Sequence, residues 1–383
     1  MALNHLAART DALDLLLFNV CDTLQLSPTQ HQKAEDRYHA ITKVINAENS
    51  PFWLWDSKVY SQGSMRLRTT VKPIDTPHDL DLVCEFDVSH KDINPMVLLE
   101  GMYTLFSEHG VYGGMVTKRN RCVRIEYKDE FWLDILPACC DYHNGGACIQ
   151  VPDRDHRFWR PSNPIDFADW FKRASRRIVV KFSDSRRELI VAEASVEPLP
   201  PLQTTEEKTM LQLIVQLLKR WRDVHYANSE YPPISIVLTT LAADLYTGEQ
   251  SISTALLEIL DGIVSRLDVA HAKGRRLAVP NPVHPAEDFS ERWDTCPAAY
   301  LAFNDGIRKL ATTWREVCET HGNPGKLAKG LFGRVIDDAI LQGARMMQAD
   351  RSGSLLGVAS TGCIVPGAAA VVPMIRNTNH GAI

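Results

Sequence analysis

Ser61-Gln62-Gly63-Ser64-Met65-Arg66-Leu67-Arg68-Thr69-Thr70, followed after a Pro-containing turn by His78-Asp79-Leu80-Asp81-Leu82-Val83, is the stretch on which the fold turns. Asp79 and Asp81 alternate with Leu80 and Leu82. Side chains of a strand change face at every residue, so both carboxylates project from one face and the leucines face the core. Two carboxylates this close repel, and each raises the other's pKa unless a cation lies between them. Magnesium is the natural candidate, a hard ion that takes oxygen ligands, often one or two carboxylates plus the phosphates of a nucleotide. A third acid stands in Phe131-Trp132-Leu133-Asp134-Ile135-Leu136-Pro137, where a lone Asp interrupts an apolar strand-like run and is costly to bury unpaired. Upstream, Gly63-Ser64 follows Val59-Tyr60 and reads as a tight turn whose backbone N–H groups and hydroxyl can hold phosphate oxygens. The expectation is a phosphate loop facing a metal-binding strand.

The chain has 383 residues, 45% of them hydrophobic, enough for two lobes with cores of their own. A net charge of −5 speaks against a surface that wraps a polynucleotide, so nucleotide binding is expected to be local and no nucleic-acid template is expected. Nine cysteines, no secretory signal and no apolar run long enough to cross a bilayer fit a cytoplasmic protein with no membrane partner.

Gly-Ser, a gap, Asp-x-Asp on a strand and a later lone Asp resemble the signature of the polymerase-beta-like nucleotidyltransferases. Further residues narrow the resemblance. They are Gln62 before the Gly-Ser, Asp-Ile-Leu-Pro-Ala at 134–138, Asn163-Pro164 ahead of Trp170-Phe171, and Leu217-Leu218-Lys219-Arg220-Trp221-Arg222 followed by Pro233-Ile234-Ser235. In this order they resemble the bacterial relatives of cyclic GMP-AMP synthase and oligoadenylate synthase, the CD-NTases of cyclic-oligonucleotide (CBASS) anti-phage defence. The resemblance implies an α+β fold: a polymerase-beta-like lobe of mixed sheet and helices over residues 1–198, including an N-terminal spine helix, and a helical lobe over 199–383 that closes the nucleotide cleft.

Helices are read at about 11–24 and, with a Ser27 cap, at 29–47; a strand or entry segment at 53–60; strands at 79–86, 116–127, with Val123, Ile125 and Tyr127 on one face and Arg124 and Glu126 on the other, and 132–136; and a helix at 94–109. Lys118-Arg119-Asn120-Arg121 reads as a solvated hairpin tip, with phosphate contact as the alternative. Arg154, Arg157 and Arg160, in a Pro-rich segment from Val151 to Pro164 that resembles a family loop, are equally a phosphate-facing row or a solvated edge. A helix is expected from Asp166 to Lys181. After Pro198-Leu199-Pro200-Pro201, a long helix is expected from a Thr205 cap to Tyr226. Further helices are read at 236–246, 251–272, 298–320 and 330–349, and the tail from Gly353 is not assigned. Cys139, Cys140, His143 and Cys148 are zinc-ligand types, and vertebrate cyclic GMP-AMP synthase has a zinc-binding insertion. Their spacing matches no standard frame, so buried thiols are the expectation.

The resemblance implies two Mg2+ ions, or Mn2+, held by Asp79, Asp81 and Asp134, with Asp134 accepting the proton of the attacking ribose hydroxyl. It further implies phosphate binding by Gln62, Gly63, Ser64, Lys219 and Ser235. Lys219 could otherwise snorkel from the edge of its stripe, and Ser235 could otherwise simply cap the next helix. The expected activity is synthesis of a cyclic dinucleotide from purine nucleoside triphosphates, ATP and GTP preferred, with a separate effector protein reading the product. A linear oligoadenylate or RNA-tailing transferase and an inactive nucleotide-binding scaffold are the competing readings.

Overall fold

The computed structural model describes residues 2–74, 77–128, 131–145, 147–176, 197–320, 324–351, 356–358, 364–366 and 372–373. The chain opens with α1 (Ala2–Thr23) and α2 (Pro28–Ile45). Ser27 caps α2 as expected: its hydroxyl accepts from the Gln30 N–H while the Gln30 side chain accepts from the Ser27 N–H. Strand β1 (Ser57–Ser61) runs into the one-turn helix α3 (Gly63–Arg66) and then β2 (His78–Ser89). Next come α4 (Pro95–Ser107), β3 (Val116–Lys118), β4 (Val123–Tyr127), β5 (Phe131–Cys140) and the hairpin β6 (Ile149–Asp153) and β7 (Phe158–Ser162). The sheet order is β1-β2-β5-β4-β3, with β6 beside β5 and β7 beside β6. Strands β2 and β5 run parallel, and β4 lies antiparallel to β5.

The helical part comprises α5 (Pro164–Ser175), α6 (Met210–His225), α7 (Ser235–Leu245) and α8 (Ile252–Ala272). A small hairpin of β8 (Pro280–Asn281) and β9 (His284–Asp288) leads to α9 (Arg292–Thr295), α10 (Pro297–Glu319), α11 (Pro324–Phe332) and α12 (Val335–Arg351). Three short strands, β10 (Leu356–Val358), β11 (Ile364–Pro366) and β12 (Val372–Pro373), are the described part of the tail. No helix among the described residues is long and apolar enough to cross a membrane.

Several elements depart from the sequence reading. The expected 116–127 strand is two strands joined at the basic run. The expected loop from Val151 is the β6–β7 hairpin. Helix α6 starts at Met210, capped by Thr209, and Thr205 lies in a turn before it. The expected 330–349 helix is broken at Gly333, whose φ of +74° is left-handed. Of the helix expected from Asp166 to Lys181, residues 177–181 lie outside the described residues.

Two large cores form. One is the sheet with α2 and α4, around Tyr38, Phe86, Leu98, Phe106 and Leu133. The other is helical, around Trp221, Leu238, Leu256, Phe303 and Trp314, and it also takes Leu17 and Val20 of α1 and Phe167 and Phe171 of α5. The cores therefore do not part the chain at residue 198.

Candidate active site

Strand alternation builds the acidic face. Leu80 and Leu82 are buried in the sheet core, which leaves Asp79 and Asp81 on the opposite face. The parallel pairing then sets Asp81 directly beside Asp134, since the two are register partners on β2 and β5. Leu133 and Ile135 are buried on either side of Asp134, so it too faces away from the core. Burial, and then the charges of Asp134 and Asp79, push the Asp81 carboxyl up to about 7. Asp79 is raised as well, chiefly by desolvation, with Arg124 acting against the rise.

Arg124, on β4, is the register partner of Asp134. Its Nε donates to Asp134 Oδ1 at 2.7 Å and one terminal nitrogen donates to Oδ2 at 2.8 Å, a forked pair. The same nitrogen reaches Asp79 Oδ1 at 3.4 Å, and the guanidinium lies 4.6 Å from the Trp132 ring centroid. Alternation along β4 already placed Arg124 on the face opposite Val123 and Ile125. Its pairing with Asp134 depends on strand neighbours that a local pattern does not encode.

The Gly-Ser turn meets this face. The Gln62 N–H donates to the Asp81 carbonyl at 2.9 Å, and the chain then turns through Gly63 with φ +56°. A Cβ on Gly63 would lie 2.9 Å from Asp81 Oδ2, so glycine is required both by conformation and by the closeness of the carboxylate. Gly63, Ser64, Asp79, Asp81, Lys219 and Ser235 all line one cleft of about 600 Å³. Gln62 does not line it, and neither does Asp134, whose carboxylate lies under Arg124.

Lys219 does not snorkel. It is 5% exposed, and its ammonium donates to Thr69 O at 3.1 Å and Thr69 Oγ1 at 3.0 Å. Desolvation, and then Arg222, push it down to about 7, with Asp81 acting in the opposite direction. Ser235 is the first residue of α7 rather than its cap, and Ile234 in the cap position makes no side-chain capping bond. The Ser235 hydroxyl instead accepts from Arg222, whose guanidinium also pairs with Asp223 at 2.6 Å. Arg222, Asp223 and Tyr226 line the cleft beside Lys219 and were not singled out from the sequence. The three- and four-residue spacings along α6 that put them on the face of Lys219 were the available signal.

Three carboxylates on adjacent strands are the right donor set for hard divalent ions. In this structure they do not converge into a ready ligand set: among the described residues no three His, Cys, Asp or Glu side chains come together closely enough to hold a metal. Arg124 supplies positive charge to Asp134 and Asp79 instead. Of the cysteines, Cys139 is buried in the sheet core, Cys140 faces Glu85 and Asp87, and Cys148 lies near Asn163 and His284. The basic run is engaged rather than bare: Lys118 pairs with Glu100, Arg119 with Glu126, and Arg121 with Asp153 and Glu291. Arg160 joins Asp153 and Glu291, whereas Arg154 and Arg157 are exposed.

Residues 16–174 match the domain family described as Second Messenger Oligonucleotide or Dinucleotide Synthetase. The chain is 29% identical over 383 residues to a c-di-GMP synthase of Roseivirga ehrenbergii, covering 98% of each chain. It is 27% identical over 316 residues to the cyclic dinucleotide synthase CdnG of Bradyrhizobium diazoefficiens, covering 79% of this chain and 75% of that one. In fold it is similar to the solved structure of Bradyrhizobium diazoefficiens CdnG in complex with GTP, with a TM-score of 0.71 and 24% identity over 86% of this chain and 99% of that one. It is also similar to the Vibrio cholerae di-nucleotide cyclase DncV with ATP and GTP, with a TM-score of 0.54 and 13% identity over 89% and 91%.

Proposed function

We propose that the chain is a cyclic dinucleotide synthase of the bacterial CD-NTase family and that it joins two guanine nucleotides from GTP into a cyclic dinucleotide. The observation that carries this reading is the meeting of Gly63, Asp81 and Asp79 at one cleft wall with Lys219 and Ser235 on the other. The name of one curated relative, a c-di-GMP synthase, and the GTP bound in the solved CdnG structure favour guanine over the mixed adenine–guanine product expected from the sequence.

In this reading Asp79, Asp81 and Asp134 would hold two Mg2+ ions, which would supply charge stabilisation for the nucleotidyl transfer. The chain's own residues do the rest. The backbone N–H groups of the Gly63-Ser64 turn and the Ser64 hydroxyl take phosphate oxygens. Lys219, Arg222 and Ser235 neutralise and orient the remainder of the triphosphate. Asp134 takes the ribose hydroxyl proton, and Arg124 fixes the orientation of that carboxylate. A linear dinucleotide then turns over in the cleft, the second nucleotide becomes the donor, and the ring closes. The product serves as a second messenger for a separate effector in anti-phage defence.

The test is incubation of the purified protein with the four nucleoside triphosphates and Mg2+, then phosphatase, mass spectrometry and linkage-specific nucleases. A phosphatase-resistant ring containing only guanine supports the reading. A ring joining adenine and guanine overturns its base choice, linear ladders replace it with a tailing transferase, and bound nucleotide without product leaves a scaffold.

A further inference from the structure

Helix α6 is buried on nearly every side, from Leu211 to Trp221, yet it carries a file of polar side chains into that burial. Gln212, Gln216, Lys219 and Arg220 are each at most 8% exposed. A buried amide, ammonium or guanidinium is costly unless its donors find acceptors. Here the acceptors come from one short segment of backbone. Gln212 Nε2 donates to Leu67 O at 2.9 Å and Lys208 Nζ, in the turn ahead of α6, donates to Arg68 O at 2.7 Å. Lys219 takes Thr69, Gln216 Nε2 donates to Thr70 O at 2.7 Å, and Arg220 donates to Lys72 O at 2.5 Å.

Positions 212, 216 and 220 recur at four-residue spacing, so they form one row along the helix, which Lys208 extends from the turn before it. The row climbs α6 as the acceptors of Gln212, Gln216 and Arg220 pass from Leu67 through Thr70 to Lys72, and Lys208 and Lys219 take Arg68 and Thr69 from outside the row. It starts where α3 ends, at Leu67, directly after the Gly63-Ser64 turn. Arg68, at the Lys208 rung, holds a left-handed φ of +57° that a residue with a Cβ adopts only under restraint. Gln216 is itself held, since its side-chain amide and that of Gln25 donate to each other at 3.2 and 3.4 Å. Except at Thr69 Oγ1, the rungs grip carbonyls and no side chains, so they fix where the backbone runs whatever residues it carries.

We propose that this row is a positioning ladder, in which Gln212 and Gln216 hold residues 67–72, and through them the Gly63-Ser64 turn, at the height at which a triphosphate is bound. The ladder rests on the triphosphate reading given above. It makes the helical lobe, rather than the sheet alone, responsible for the geometry of the phosphate loop. Because the turn contacts substrate phosphates in the ground and transition states alike, loosening it raises KM more than it lowers kcat.

The experiment compares the wild-type protein with the double variant Gln212→Met, Gln216→Met, which keeps side-chain length and removes the donors. Leu267→Ala, in the helical core on α8, serves as a control for lost stability. GTP affinity is measured by calorimetry with Ca2+ to hold back turnover, KM and kcat with Mg2+, and loop release by the rate of trypsin cleavage after Arg68. The double variant is expected to bind GTP about tenfold more weakly and to show a KM raised about tenfold with kcat within about threefold. Cleavage after Arg68 is expected to be about tenfold faster, following the opened population. Leu267→Ala lowers Tm and moves none of these. Wild-type affinity and cleavage in the double variant would overturn the ladder, as would equal changes in Leu267→Ala. A wild-type protein that binds no GTP sinks the functional reading instead, and the cleavage rates alone then decide the ladder.

Discussion

Gly63 answers two demands at once, a left-handed φ and a carboxylate oxygen 2.9 Å from where a Cβ would stand. Gly63→Ala therefore adds about 1–2 kcal/mol of backbone strain and also drives the turn away from Asp81. A lower Tm and turnover reduced at least about a hundredfold are expected, the latter because small misplacements at reacting groups are costly; thermal unfolding and product formation read the two. Arg124→Lys keeps the charge and loses the fork, so kcat is expected to fall about tenfold or more with Tm little changed. Asp81 carries a pH signature in the metal-free protein. Its carboxyl is raised from 3.8 to about 7, so between those values the folded state binds more protons than the unfolded state, and its contribution to stability falls as pH rises. Asp81→Asn removes that loss. The Tm difference should move in the variant's favour from pH 4 to 7, and a flat difference would mean that the carboxyl is not perturbed. At this scale the three acids and Gly63 were legible because strand alternation and the demands of a tight turn are local rules. Arg124 was legible only as to face. Its partner is set by two strands lying side by side, and Ser235 gave a misleading sign because a serine before a helix suits a cap whether or not it makes one.

Helices and hairpins were easier to detect than to delimit. The sequence reading put the cap of α6 at Thr205, and the chain uses Thr209 because Gln212 closes a reciprocal pair with it, whereas the Thr205 hydroxyl goes to Asp22 at 2.7 Å. The apolar stripe of α6 was real, yet Gln212, Gln216 and Lys219 interrupt it without reaching water, which no periodicity can announce. The β6–β7 hairpin was hidden by its prolines and charges. Its anchor is Asp153, fully buried, which accepts from Arg121 at 3.1 Å, Arg160 at 3.4 Å and the His156 N–H at 3.1 Å. Those donors hold the Asp153 carboxyl down at about 2 in spite of its burial. Asp153→Ala leaves both guanidiniums with Glu291 and solvent alone, and a loss of about 1.5–3 kcal/mol is expected, as for losing hydrogen bonds to a charged group. Chemical denaturation measures it; a loss below about 1 kcal/mol would mean that Glu291 and water compensate fully.

Across the whole molecule, two sets of polar contacts tie the sheet lobe to the helical part. On one flank α6 grips residues 67–72, and on the other Ser162 donates to Glu287 at 2.8 Å while Arg121 and Arg160 reach Glu291. A triphosphate with its divalent ion bound in the cleft should raise Tm, by about 2.7 kcal/mol of added stability at a hundred times Kd. Chelation with EDTA should cancel most of that gain, and a Tm indifferent to both would contradict the cleft assignment. Composition made two cores legible, but not which helices belong to which. An amphipathic stripe says that a face is covered and is silent about the cover, so α1 and α5 could not be placed with the helical core in advance. That placement has a consequence in time. Helix α1 is synthesised ahead of the sheet, yet it packs against α6, α8 and α12, with the Gln342 side chain donating to Asp22 at 2.7 Å. At roughly 5–20 residues per second, the nascent chain spends many seconds with the apolar face of α1 unmatched while the sheet, whose strands lie between residues 57 and 162, can already assemble. The main cover of α1 therefore arrives only once α12 has left the ribosome, and a translation product truncated before α6 carries the acids without the wall that faces them.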